Sequence, residues 1–161
     1  MKLYFVRHGD AVEADAWRGD DASRPLTDEG RDRMTRAAKT MKRLGFALDV
    51  IVTSPLVRAR QTAAIVAEAL GLRDKLVEDE RLGPGFDLVR LAEIVRAQRG
   101  ADAVMLVGHE PSFSMTIGRL AGGGAIDVKK GSLARVDVAD PSELRGELVW
   151  LIPPKVLVLG G

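Results

Sequence analysis

A chain of 161 residues, 46% hydrophobic and 29% charged, is long enough to bury one sizeable core and reads as a single domain over residues 1–161. Its net charge of +1 gives no general basic footprint for nucleic acid or a membrane surface, and no apolar run approaches the ~20 residues of a membrane span. Cysteine is absent, which excludes disulfides, thiolate metal sites and a cysteine nucleophile.

The first apolar run, Leu3-Tyr4-Phe5-Val6, is too short for a signal-peptide core, so the expected location is the cytoplasm. The run reads as a buried strand and stops abruptly at Arg7-His8-Gly9-Asp10. Gly9 lets the backbone turn sharply or come close to a ligand. Arg7 and His8 thus lie where a core strand opens onto the surface, the ligand-binding edge of an open α/β sheet. An imidazole there can act as nucleophile, base or metal ligand, and a guanidinium beside it suits phosphate or carboxylate. A surface arginine next to a strand-capping histidine would read the same, so the rest of the chain must decide. Ala11 to Leu26 is polar and irregular and leaves the same edge, as a lid or as a solvated loop.

Thr27 caps the first predicted helix, with Asp28 and Glu29 in its first turn. Met34, Ala37, Ala38, Met41 and Leu44 form its apolar stripe, and Gly45 ends it. Asp49 to Thr53 is the second buried strand. Ser54-Pro55 follows, a preferred N-cap and first helical residue, and predicts a helix from Leu56 to Leu70. At about 100° per residue, Arg58 and Arg60 point to nearly opposite sides, so only one can face a pocket at the helix start. Thr62, at i+4, shares the face of Arg58. Leu76 to Glu78 reads as a short strand, Asp79 to Gly85 as a loop and Leu88 to Gln98 as an amphipathic helix. Ala103 to Val107 is the most apolar strand and predicted central. It ends in Gly108-His109-Glu110-Pro111, and Pro111 opens a helix through Phe113, Ile117 and Leu120. Gly122-Gly123-Gly124 is a turn. Leu133 to Val138 and Glu147 to Ile152 form an antiparallel strand pair joined at Asp140-Pro141-Ser142, and Pro153-Pro154 stops the second strand.

Strands alternating with helices predict a three-layer α/β sandwich: a mainly parallel central sheet, helices on both faces, and the antiparallel pair near the C-terminus. The only two histidines, together with Arg7, Ser54 and Arg58, then converge on the carboxyl edge of the sheet. Packing does not explain that convergence.

Four blocks in this order, Arg7-His8-Gly9, Leu26 to Gly30, Ser54 to Thr62 and Gly108-His109, resemble the histidine phosphatase (phosphoglycerate mutase-like) superfamily. The short chain, and Arg-His-Gly-Asp running by a modest loop into Arg24-Pro25-Leu26-Thr27, resemble its SixA-like branch, whose members remove phosphate from protein phosphohistidine. The resemblance makes His8 the nucleophile that becomes a phosphohistidine intermediate. It places Arg7, Arg58 and His109 on the transferring phosphoryl group, with His109 as an imidazolium beside the dianion, and requires no metal or other cofactor. The partner it implies is a phosphorylated protein or a small phosphate ester, not nucleic acid or a membrane.

The chain has no asparagine, whereas mutase-type members carry one shortly after Arg-His-Gly; this counts against a sugar-phosphate mutase. Candidate general acids are Glu80, in the loop where many members carry theirs, and Glu110, directly after the second histidine; either could instead be a solvated carboxylate. Three competing readings remain. One is a small-molecule phosphomonoesterase on the same site. Another is a non-catalytic phosphate- or phosphoprotein-binding module. The third is a metal site built from His8, His109, Asp10 and Glu110.

Overall fold

Strand β1 (Lys2–Arg7) is buried on both faces. Leu3 and Phe5 enter one apolar cluster and Tyr4 and Val6 another, as the two-residue period of a strand requires. The computed structural model describes residues 1–160. Its other strands are β2 (Val50–Thr53), β3 (Leu76–Glu78), β4 (Ala103–Gly108), β5 (Leu133–Asp140) and β6 (Arg145–Ile152). The helices are α1 (Asp28–Arg43), α2 (Val57–Leu70), α3 (Leu88–Ala97), α4 (Ser112–Leu120) and α5 (Pro154–Leu157).

The strands form one sheet in the order β3-β2-β4-β1-β5-β6. Pairs β3·β2, β2·β4 and β4·β1 are parallel, and β5 runs antiparallel to both β1 and β6. Strands β2 and β4 are buried along their whole length, which suits parallel strands covered on both faces. One face packs on α3 and α4 through Leu91, Ile94, Phe113 and Ile117. The other packs on α1 and α2 through Met34, Met41, Ala63 and Val66. Each fully buried Leu, Ile, Val, Phe or Met among them contributes about 1.5–3 kcal/mol relative to exposure. This is the three-layer α/β sandwich the sequence predicts, with β4 and β1 at its centre.

Helix α1 is also pinned to the turn after β1. Thr27 accepts from the Gly30 amide at 2.9 Å as N-cap, and the Thr27 amide donates to the Asp10 carbonyl at 3.0 Å. A Cβ on Gly30 would lie 2.1 Å from that carbonyl, so only glycine lets the helix approach this closely.

Two local expectations need correcting. Leu44 does not belong to the apolar stripe of α1; it is the C-cap and is 49% exposed. Helix α2 begins at Val57, and Ser54-Pro55 is not its cap. The N-cap is Leu56, whose aliphatic side chain cannot accept; the Leu56 amide donates to the Ser54 hydroxyl, which also pairs with His109, and the Val57 amide donates to the Ala22 carbonyl. Strand β6 ends at Ile152, before Pro153-Pro154, as the sequence predicts, and the chain then turns into α5, whose Leu157 is buried with the α1 and α2 cluster.

Candidate active site

The end of β1 is held from three directions. The His8 amide donates to Gly108 of β4 at 3.0 Å, and the Arg7 amide to Ser132 at 3.2 Å. The Gly9 amide donates to the Thr62 hydroxyl at 3.1 Å, and that hydroxyl donates to the Arg58 carbonyl at 2.8 Å. Gly9 is also a close approach: a Cβ there would lie 2.6 Å from Met34 Cγ. These contacts fix the His8 turn against α2 and α1.

His8 is buried, only 6% exposed, and so more enclosed than a residue at a strand exit. Its Nδ1 lies 2.7 Å from the Gly9 carbonyl. A carbonyl only accepts, so Nδ1 carries the proton and Nε2 keeps its lone pair. Burial pushes the His8 pKa down to about 3, aided by His109, Arg58 and Arg7 and opposed by the Gly9 carbonyl. The ring is therefore neutral at physiological pH.

His109 follows β4, its ring centroid 5.1 Å from that of His8. Its Nε2 lies 2.7 Å from the Ser54 hydroxyl, which is fully buried and also accepts from the Leu56 amide at 3.3 Å. The hydroxyl's single proton has no other acceptor among the described residues, so it donates to Nε2, which puts the His109 proton on Nδ1. Nδ1 is buried and has no protein partner. Burial first, then Arg58, lowers the His109 pKa to about 4; the expected imidazolium belongs to a ring beside a phosphoryl dianion, whose charge would raise that value.

Arg58 is 6% exposed and faces this site, while the Arg60 side chain is exposed and pairs with Glu78 at 3.3 Å. The Arg58 fork is taken by Asp21: Nη1 donates to its carbonyl at 2.7 Å and Nη2 to its carboxylate at 2.9 Å. Arg7 donates through Nη1 to the Val128 carbonyl at 2.8 Å. Burial lowers the Arg7 pKa, with Glu110, Asp127 and Asp10 opposing; a guanidinium remains charged regardless. Among the described residues, the buried side-chain polar atoms without a protein partner are Arg7 Nε, Arg58 Nε, His109 Nδ1 and Ser132 Oγ. Three of these four belong to the side chains grouped with His8. Buried donors left unmet are costly, and this set of two guanidiniums and an imidazole is suited to an anion.

The two candidate acids are placed differently. Glu80 is exposed on a single 3-10 turn after β3, and its carboxylate makes no hydrogen bond or ion pair with the site residues. Glu110 is not a solvated carboxylate. Both its oxygens are engaged by Ser114, from the amide at 3.0 Å and the hydroxyl at 2.5 Å, so it serves the first turn of α4. The metal arrangement does not form. Among the described residues no three histidine or carboxylate side chains come together, and Asp10 instead accepts from Arg33 at 3.1 Å.

Sequence reading missed Asp21 and the partnership of Ser54 with His109. Asp21 lies in an aperiodic loop with no signal of its own. Ser54 lies at the right edge, but its sequence context before Pro55 reads as a helix cap.

A family model for the histidine phosphatase superfamily (branch 1) matches residues 3–83, and the chain belongs to that superfamily. Within it the resemblance is to the SixA-like branch. The chain is 29% identical to phosphohistidine phosphatase SixA of Escherichia coli K12, over 76% of each protein. The structure of protein histidine phosphatase SixA complexed with tungstate superposes with a TM-score of 0.85 at 26% identity, covering 96% of this chain and 98% of that one. A structure described as a putative α-ribazole-5′-P phosphatase from E. coli shares the fold at a TM-score of 0.75 and 19% identity, over 97% of this chain and 98% of that one. The chain is thus a hydrolase of the histidine phosphatase class. No helix among the described residues is long and apolar enough to cross a membrane.

Proposed function

We propose that this protein hydrolyses phosphohistidine in proteins through a covalent intermediate on His8. The lone pair on His8 Nε2 attacks phosphorus, and the bond from phosphorus to the substrate imidazole breaks with its electrons leaving on that nitrogen. Water then attacks phosphorus, releasing phosphate and restoring His8. Arg7, Arg58 and the Nδ1–H of His109 hold the phosphoryl oxygens in both steps.

The observation that carries this reading is the bond from His8 Nδ1 to the Gly9 carbonyl, which fixes the tautomer a nucleophile needs. The phosphohistidine assignment rests on the leaving group and draws support from the similarity to SixA. An alkoxide is very basic and needs a positioned acid, worth typically 10²–10⁴-fold. An imidazole departs neutral when its other nitrogen is already protonated, its conjugate acid having a pKa near ~6.5. Here Glu80 is exposed and Glu110 is tied to Ser114.

The test is kcat/KM on a phosphohistidine peptide and on an alkyl phosphate, for the wild type, Glu80→Gln and Glu110→Gln. The wild type should prefer the peptide, and neither substitution should change its turnover by more than about twofold. A large loss on both substrates would reveal a working general acid and favour a small-molecule phosphomonoesterase.

A further inference from the structure

Next to the His8 turn lies a cavity of about 480 Å³ that shares Arg7 with the phosphoryl site and extends away from it over residues the phosphoryl chemistry does not use. Its walls come from three segments far apart in sequence: Arg33 of α1, Lys129 and Lys130 before β5, and Lys155 of α5. Met34, Ala37, Pro154 and Val158 supply apolar surface. Arg7, Gly9 and Asp10 line it too, so both chain neighbours of His8 border it.

The charge here is one-sided. Asp10 is the only acidic lining residue, and Arg33 already pairs with it. Lys129 and Lys130 have only loose partners, Asp127 and Glu13, both at 3.7 Å. Lys155 has no carboxylate partner among the described residues. In a chain of net charge +1 this is a local concentration of positive charge.

We infer that this cavity docks an acidic, amphipathic segment of the protein that carries the phosphohistidine. The inference rests on the substrate reading given above. The phosphoryl site grips only the phosphorylated imidazole, so the polypeptide around it must lie on the neighbouring surface. The apolar floor accepts one or two aliphatic side chains, which a bare inorganic anion would not need. The lysine rim attracts flanking carboxylates and steers their approach.

Two measurements test it. The first compares kcat/KM on phosphohistidine peptides with acidic and with neutral flanks. The wild type should prefer acidic flanks at least tenfold, and Lys129→Glu/Lys155→Glu should abolish the preference. Lys129→Ala/Lys155→Ala, which adds no repulsion, should weaken it partway. Arg96→Glu/Arg99→Glu, an equal charge change at exposed positions on and beside α3, should retain it. The second follows binding of a labelled acidic peptide without phosphate by fluorescence anisotropy. Affinity should fall at least tenfold in Lys129→Glu/Lys155→Glu and hold in the α3 control. Equal losses in both charge variants, or none in either, would overturn the docking site. A wild type that binds the acidic peptide here yet hydrolyses neither phosphohistidine peptide would overturn the substrate reading and leave the cavity assignment standing.

Discussion

Asp21 occupies both prongs of the Arg58 guanidinium, its carbonyl at 2.7 Å from Nη1 and its carboxylate at 2.9 Å from Nη2. The same carboxylate accepts from Arg24 at 2.8 Å, and these arginines hold the Asp21 carboxyl below its ordinary range against the opposing effect of burial. Asp21 thus fixes the outer fork of Arg58 and leaves Nε unpartnered. Asp21→Ala should lower kcat/KM about tenfold on every substrate, because a loosened arginine costs orientation at the phosphoryl group. Steady-state kinetics on a phosphohistidine peptide and a phosphomonoester check this. A rise in activity, with tighter inhibition by phosphate, would mean Asp21 competes with substrate for the arginine.

Arg58→Ala should be far more damaging than Arg60→Ala. Loss of a charge-assisted contact to the transition state costs about 3 kcal/mol or more, some hundredfold in rate. Arg60 is exposed and paired with Glu78, so its loss should change the rate by less than twofold. Comparable losses in kcat/KM at both positions would mean α2 presents a different face to the substrate.

His8→Asn should abolish turnover and prevent formation of the phosphoenzyme. In the wild type, rapid quench with labelled substrate should trap a phosphoryl group that is labile in acid and stable in alkali, as a phosphoramidate is. Asparagine is preferred to alanine because His8 is buried and an enclosed gap would confuse loss of chemistry with loss of fold.

Much of this was legible in the sequence. Leu3–Val6 and Ala103–Val107 are short apolar runs that end in a histidine, and strand direction alone sends both rings to one edge. Positions two apart on a helix differ by about 200°, so only one of Arg58 and Arg60 can face the pocket, and the family resemblance picks Arg58. The rest depends on contacts that no local pattern encodes. Asp21 reaches Arg58 across 37 positions from a loop without periodicity. The choice of Ser54 between helix cap and histidine partner is decided by β4, which brings His109 alongside. The lysine-lined cavity exists only because β5 and α5 return to α1, and neither lysine segment has a signature of its own.

The two histidines also govern stability in mild acid. Burial lowers His8 to about 3 and His109 to about 4, whereas in the unfolded chain each titrates near ~6.5. Below that pH the unfolded chain binds protons that the folded one refuses. Stability should therefore be full above pH ~6.5 and fall as pH decreases, until the folded-state values are reached. At pH 5 the loss should be roughly 2 kcal/mol for each histidine. The chain has no others, so urea unfolding between pH 7.5 and 5 isolates the pair. His8→Asn should roughly halve the slope, and an undiminished slope would assign it elsewhere.

The position of β1 has a consequence for how the protein is made. Strand β1 leaves the ribosome before the other strands of its sheet, yet it is one of the last to find its neighbours, since it sits between β4 and β5. Arg7 bonds Val128 across 121 positions, and the Gly131 amide closes on the carbonyls of both Arg7 and His8. Contacts this distant in sequence form slowly, because loop closure must precede any gain from pairing. A nascent chain that already contains every proposed phosphoryl-binding residue still lacks residues 128–132, which hold Arg7, and the strand β5 that covers the edge of β1. Until β5 emerges, β1 exposes an unpaired apolar edge open to mispairing. Hydrolysis should thus begin only when synthesis has passed β5, and a fragment ending before Leu133 should be inert and prone to aggregate.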